Sequence, residues 1–176
     1  EYSSWCKHTN FDIDAHAPMM LSVPGTTDEG SRTAALTEYV DIYPTLADLC
    51  GIGIPDHCEG ISAAPLFEDS NRKWKTAAFS QFPRGKRMGT TMKTDRYRYT
   101  EWTNRESGEV IARELYDHRV DPGETVNVAG KQVDVVKRLA EMMGAGWQAA
   151  LPQSYVVEIE DAIRTRFRGE RRRIWA

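Results

Sequence analysis

The chain has 176 residues, of which 40% are hydrophobic and 28% charged, a balance typical of a globular protein with a packed core. Its net charge of -3 and its pI of about 5.9 argue against a general nucleic-acid-binding protein. Its apolar runs are all shorter than the roughly 20 residues that a membrane-spanning helix needs, so we do not expect a membrane as a partner. From its charge, we do not expect nucleic acid as a partner either.

The first 65 residues are predicted to contribute one strand and one helix. The apolar run Pro18–Gly25 is bounded by proline and glycine, which is typical of a buried strand that ends in a turn. Apolar residues recur at helical spacing over Val40–Cys50, and Gly51 suits the C-terminal cap. Since proline is favoured in a first turn, we expect this helix to run from about Pro44 to Cys50.

Residues 66–152 are predicted to form a small antiparallel sheet covered by a helix. The strand candidates lie at 76–82, 89–93, 97–102 and 114–117. The third of these alternates cleanly, with Tyr97, Tyr99 and Glu101 on one face and Arg98, Thr100 and Trp102 on the other. Residues 94–96 supply a hairpin turn, and apolar residues at helical spacing over 133–151 predict the covering helix.

Three units follow from this order: 1–65, the end of a larger α/β sheet region; 66–152, the small sheet; and 153–176, a basic tail. The tail holds six arginines between 164 and 173. Such a run either binds a polyanion or is a solvated helix end, and its terminal position favours the second interpretation.

Three cysteines are too few for a disulfide framework. Cys50 and Cys58 flank a loop rich in glycine and proline, where they either pair or remain free thiols. A structural zinc site is not expected, because the sequence holds no Cys-x-x-Cys motif.

Three groups of polar residues are candidates for chemistry. Lys7 and His8 stand in a polar loop, where a lysine is a compact cation for sulfate, phosphate or carboxylate and a histidine adds a donor or moves a proton. The basic loop at 84–87, with Arg84 at its start, would suit an anionic substrate. Asp12, Asp14 and His16 have a spacing that can chelate a metal ion.

Each of these patterns also has an ordinary explanation, namely surface charge for the first two and a polar strand entry for the third. From spacing alone the ordinary explanation is favoured in each case. Asp117 and His118 are likewise interpreted as surface residues at a turn rather than a catalytic pair. No metal site is therefore predicted within the chain.

Several segments together resemble the sulfatase family. The stretch that follows the family's Asp-His-Gly metal motif is similar to two segments here, WCKHTNFD at 5–12 and HAPMM at 16–20. One of the family's helices is similar to DIYPTLADLCGI at 41–52. The family's C-terminal sheet resembles four further segments: TDRYRY at 94–99, ELYD at 114–117, DPGE at 121–124 and NVA at 127–129. SQFPR at 80–84 with MG at 88–89 points to the branch of iduronate-2-sulfatase.

The resemblance implies an α/β fold, namely the C-terminal part of an alkaline-phosphatase-like sulfatase. It implies hydrolysis of sulfate esters, such as those of glycosaminoglycan sugars, with a calcium ion whose ligands lie upstream and a formylglycine nucleophile. Lys7 matches the last sulfate-binding lysine of the family and is the implied catalytic residue. His8 and Arg84 are the implied substrate-side residues.

The formylglycine motif, Cys-x-Pro-x-Arg or Ser-x-Pro-x-Arg, does not occur in the sequence. We therefore expect a C-terminal fragment that is inactive alone and that needs the N-terminal part of the catalytic domain as a partner. The family suggests a periplasmic, secreted or lysosomal protein. Two alternatives stay open: a phosphodiesterase or phosphonate hydrolase of the same superfamily, and a non-catalytic module that binds sulfated polymers.

Overall fold

The computed structural model describes residues 7–26 and 30–155. Its helices are α1 (Asp12–Ala15), α2 (Ile42–Leu49), α3 (Pro65–Glu68) and α4 (Val133–Gly144), with 3₁₀ turns at Tyr39–Asp41 and Trp147–Ala150. Its strands are β1 (Ala78–Arg84), β2 (Arg87–Lys93), β3 (Tyr97–Asn104) and β4 (Val110–Asp117). Most of the predicted basic tail, 156–176, lies outside the described residues.

The four strands form one antiparallel sheet in the order β1-β2-β3-β4, as predicted. Consecutive strands are joined by short turns, and the first turn places Gly85 at a φ of +57°, a value that glycine adopts without steric cost. In the second turn the backbone N–H of Thr94 donates to the carbonyl of Tyr97 at 2.8 Å. The pairing sets Phe82, Gly89, Trp102 and Ala112 side by side across the sheet.

One face of the sheet carries the hydrophobic core. Tyr99 and Leu115 are fully buried there, and Leu139 of α4 packs in the same cluster. The predicted alternation of β3 is confirmed, because Tyr97 and Tyr99 enter this core while Arg98 and Thr100 lie on the opposite, polar face. Helix α4 therefore covers the apolar face, and it ends at Gly144 instead of continuing through 151.

Helix α2 begins two residues earlier than predicted, at Ile42, and keeps Pro44 in its first turn. The buried carboxylate of Asp41, just before it, is bonded to Nζ of Lys75 at 2.8 Å and accepts the backbone N–H of Ile61 at 2.9 Å. These bonds tie the helix to the following loop and to the segment that enters the sheet. Cys50 and Cys58 are free thiols, so the pairing alternative is wrong.

The predicted buried strand at Pro18–Gly25 is wrong for this chain as described. The segment has no regular secondary structure, and Met20 is 89% exposed. A strand needs a neighbour to pair its backbone groups and a surface to cover its side chains, and the described residues supply neither at this position. None of the described helices has the length and apolar character that crossing a membrane requires.

Candidate functional site

The segment that follows Lys7 and His8 lies across the polar face of the sheet. The Asn10 side chain donates to the carbonyl of Gly89 at 3.1 Å. The ring of Phe11 covers the guanidinium of Arg98 at 4.6 Å. The backbone N–H of Asp12 donates to Oε2 of Glu124 at 2.9 Å. Three consecutive residues are therefore attached to β2, to β3 and to the turn after β4.

Arg98 lies at the centre of this polar face and is only 1% exposed. Its guanidinium lies over the rings of Phe11 and Tyr116, at 4.6 and 4.5 Å from their centroids, and the two rings meet edge to face. Its Nε donates to Oε1 of Glu124 at 2.6 Å, and Nη1 donates to the hydroxyl of Thr100 at 2.8 Å. Its Nη2 has no hydrogen-bond partner among the described residues. The buried charge is thus paired with a carboxylate, as burial requires.

Glu124 joins the polar groups of this face. It is 2% exposed and accepts hydrogen bonds from Arg98, from the Asp12 backbone and from Nε2 of His118, the last at 2.7 Å. Nζ of Lys93 lies 2.6 Å from Nδ1 of His118. Since an ammonium group can only donate, Nδ1 is the acceptor and Nε2 carries the proton that it gives to Glu124. Burial lowers the pKa of Lys93, while Asp12 and Glu124 act in the opposite direction.

The structure brings His8 and Arg84 to one end of the polar face. The His8 ring stacks on Phe82 with centroids 5.8 Å apart, and the Arg84 guanidinium lies 5.7 Å from the ring centroid of Trp102. Phe82 and Trp102 are both cross-strand partners of Gly89, so their side chains share a face. Lys7 is exposed and directly precedes His8. His8 and Arg84 are both exposed, so the arrangement is an open surface with the rings of Phe82 and Trp102 beneath it.

Asp12, Asp14 and His16, whose spacing could chelate a metal ion although no metal site is predicted, do not come together as a unit. Oδ2 of Asp12 lies 3.3 Å from Nδ1 of His16, whereas the Asp14 carboxylate accepts a hydrogen bond from the hydroxyl of Thr9. A different group, Asp12 with His118 and Glu124, has ligand atoms within 4.8 Å of one another. Its Glu124 oxygens already accept three hydrogen bonds, one from a guanidinium, so this set does not suit a metal ion.

The interpretation of Asp117 and His118 as surface residues is wrong. Asp117 is 3% exposed and bonds Arg96 through both carboxylate oxygens, at 2.9 and 2.6 Å. His118 lies in the network of Glu124. The sequence reasoning also did not single out Arg98 and Glu124. The only available signals were an arginine inside a strongly alternating strand and a glutamate that ends the turn DPGE, and both are common on protein surfaces.

The family whose model matches is described as N-sulphoglucosamine sulphohydrolase, C-terminal, and the match covers residues 1–147. Among curated relatives, the chain is 28% identical over 195 residues to iduronate 2-sulfatase of Mus musculus, covering 73% of this chain and 35% of the relative. It is 31% identical over 168 residues to delta 4,5-hexuronate-2-O-sulfatase of Bacteroides thetaiotaomicron, covering 90% of this chain and 32% of the relative.

A similar solved structure is that of a protein in complex with its substrate D-glucosamine-2-N,6-O-disulfate, with 25% identity and a TM-score of 0.58. The superposition covers 69% of this chain and 25% of that one. The likeness confirms the predicted α/β sulfatase fold. The chain spans about a third of the length of the two curated relatives. It belongs to the sulfatase family, as a C-terminal portion of the N-sulphoglucosamine sulphohydrolase type.

Proposed function

We propose that this chain is the C-terminal part of an enzyme that hydrolyses sulfate esters of sugars. The observation that supports the proposal is that His8 and Arg84 lie against Phe82 and Trp102 on the polar face, with Lys7 directly before His8, in a chain that belongs to the sulfatase family. The relatives support it, because one is named for a 2-O-sulfated hexuronate and another for sulfated iduronate.

Each of the three residues has a distinct proposed role. Lys7 is a compact charge suited to an oxygen of the transferring sulfate, where charge develops in the transition state. His8 adds a second donor, and its stacking on Phe82 holds the ring in one orientation. Arg84 presents a planar fork suited to a carboxylate or a second sulfate on the sugar.

Calcium and formylglycine are the cofactors that the family suggests, and the described residues do not fit either. Calcium prefers six to eight oxygen ligands, whereas the Asp12, His118 and Glu124 set contributes an imidazole and a carboxylate already bonded to Arg98. The sequence holds no formylglycine motif. In a complete enzyme the two groups would supply the nucleophile and neutralise sulfate charge, and we place both outside this chain.

The rest of the catalytic domain is the proposed partner of the chain. Tyr43 and Leu46 of α2 are 57% and 48% exposed, and Met20 is 89% exposed. Further exposed apolar side chains in the same part of the chain are Met19, Tyr39, Val40, Ile42, Ile52 and Ile54. Soluble domains seldom leave so much apolar surface in one region uncovered. Covering it with the remaining two thirds of a sulfatase would complete the large sheet, and alone the chain should show no turnover.

The test is to express the whole reading frame that contains this chain and to measure sulfate release from a series of sulfated hexuronates and glucosamines. We expect turnover from the whole protein. Lys7→Ala should lower kcat/KM by about 10²–10³-fold, since it removes a group that stabilises transition-state charge. Arg84→Ala should mainly raise KM, by about tenfold, because it removes substrate binding.

Lys137→Ala and Arg138→Ala are the matched controls, because both side chains are exposed on α4, which packs on the opposite face of the sheet. Neither should change kcat or KM. Sulfatase activity that is unaffected by Lys7→Ala would contradict the proposed role of Lys7. Phosphonate or phosphodiester hydrolysis in place of sulfate release would contradict the proposed reaction.

A further inference from the structure

We propose that Arg98 and Glu124 are positioning residues, which hold the backbone of residues 10–12 on the sheet and thereby set where Lys7 and His8 stand. The inference rests on the proposed function for its consequence in catalysis. The attachment of residues 10–12 to the sheet involves only described residues, and it can be tested without measuring any activity. Neither side chain reaches the exposed surface, since they are 1% and 2% exposed.

The attachment is made by two bonds of different kinds to one ion pair. The Phe11 ring stacks on the guanidinium of Arg98 at 4.6 Å, and the N–H of Asp12 donates to Oε2 of Glu124 at 2.9 Å. The pair is closed by the 2.6 Å bond from Nε of Arg98 to Oε1 of Glu124. A side-chain attraction and a backbone bond on adjacent residues restrict both the location and the rotation of the segment.

The surroundings of Glu124 fix the carboxylate in the orientation that this attachment needs. Its backbone has a φ of +54°, an uncommon value for a residue with a side chain. Such a conformation persists only where neighbouring contacts determine it. Here His118 donates to Oε1 at 2.7 Å, and the N–H of Glu124 donates to the carbonyl of Asp121 at 3.1 Å. The second oxygen is thereby left directed at the Asp12 amide.

A third contact confines the same segment to one register. The Asn10 side chain donates to the carbonyl of Gly89, and a Cβ added at Gly89 would lie 2.4 Å from Nδ2 of Asn10. Asn10 therefore occupies space that any other residue at position 89 would fill. Lys7 lies only three residues before Asn10, so a shift of the anchored segment moves the cation too. Misplacing a catalytic group by about 1 Å can cost on the order of 100-fold in rate.

Hydrogen exchange of the Asp12 amide and steady-state kinetics of the whole protein test this proposal together. In Glu124→Gln the acceptor loses its charge, and we expect the Asp12 amide to exchange about tenfold faster. The same variant should lower kcat by about 10–100-fold with little change in KM, because Lys7 would no longer be held in the position where it contacts the sulfate that is transferred. Phe11→Leu, which keeps an apolar side chain but loses the stacking, should give a smaller effect in the same direction.

Asp117→Asn is the matched control, because Asp117 is similarly buried and similarly paired with an arginine, Arg96, and none of its hydrogen bonds among the described residues goes to residues 10–12. It should lower global stability without changing exchange at Asp12 or kcat. The proposal is overturned if Glu124→Gln leaves both the exchange of the Asp12 amide and kcat unchanged. It is also overturned if Asp117→Asn alters these two quantities as much as Glu124→Gln does. Should the whole protein show no sulfatase activity, the proposed function fails, while exchange at Asp12 still decides whether the pair holds the segment.

Discussion

Single residues in this structure are constrained mainly by how closely backbones approach. Gly60 lies against the chain just before α2, where an added Cβ would be 2.0 Å from the carbonyl oxygen of Val40 and 2.8 Å from the nitrogen of Asp41. Both are backbone atoms, so neither can rotate away. The neighbouring Ile61 donates to Asp41, which keeps the two segments together. A hydrogen atom is the only side chain that this contact admits.

We therefore predict that Gly60→Ala destabilises the chain by about 3 kcal/mol, since overpacking against backbone forces the two segments apart. Urea denaturation followed by circular dichroism measures the change. Gly53→Ala is the control, because a Cβ there meets nothing within 4 Å among the described residues, and it should change stability by less than about 0.5 kcal/mol. Equal effects of the two substitutions would show that the clash is relieved at little cost.

At the scale of elements, the turn before β3 and the end of β4 are joined by a bidentate ion pair. Arg96 donates to both oxygens of Asp117, and the backbone N–H of Arg119 adds a third bond at 3.1 Å. The hydrogen bonds from Arg96 lower the pKa of Asp117 below its ordinary value and are the largest cause of the shift. The bond from the Arg119 backbone acts in the same direction, and burial opposes both with an effect smaller than that of Arg96. The carboxylate is thus stabilised in its charged form only when the sheet is folded.

This pair predicts how stability depends on pH. A carboxyl whose pKa is lower in the folded state contributes stability that is complete above its unfolded pKa, about 3.9 for aspartate, and that is lost as the pH falls through the folded value. Asp117→Asn should therefore cost about 2 kcal/mol near neutral pH. The difference in unfolding free energy between the variant and the parent chain should begin to shrink below about pH 4, and it should vanish only as the pH falls through the lower folded pKa. Urea titrations at several pH values check this, and parallel curves would contradict it.

At the scale of the whole molecule, the two faces of the sheet do different work. The apolar face is covered by α4, as the helical spacing over 133–151 predicts, although the helix itself ends at Gly144. The polar face instead receives the N-terminal segment and carries the candidate site. The region of α2 is left with exposed apolar side chains, which the proposed partner would cover. The small sheet therefore has its apolar face covered, whereas α2 and its neighbours along the chain leave apolar side chains exposed.

The exposed apolar side chains around α2 predict how the isolated chain behaves. We expect it to bind a hydrophobic dye and to self-associate, because Tyr43, Leu46 and their apolar neighbours face solvent. Leu46→Glu should reduce both effects, whereas Val120→Glu, at a residue 77% exposed elsewhere, should not. Dye fluorescence and light scattering measure them. A monomeric chain without dye binding would mean that the apolar side chains are covered in some other way.

The sequence by itself determined the elements whose signals are local. Alternation in β3, turn residues at 94–96 and helical spacing in α2 and α4 each predicted the observed element, with ends that moved by a few residues. The residues of the sulfatase resemblance also identified the family. These succeed because periodicity and turn chemistry depend on neighbours along the chain. The division into three units stays a prediction, as do the roles of Lys7, His8 and Arg84.

Only the tertiary structure decided the outcomes that depend on distant partners. Pro18–Gly25 has the composition of a buried strand, yet among the described residues it has no strand to pair with. Arg98 and Glu124 look like surface charges in sequence, and 26 positions apart they form the buried pair that holds the segment after His8. Burial of a charge is set by what packs over it, and that is a property of the fold rather than of the local sequence.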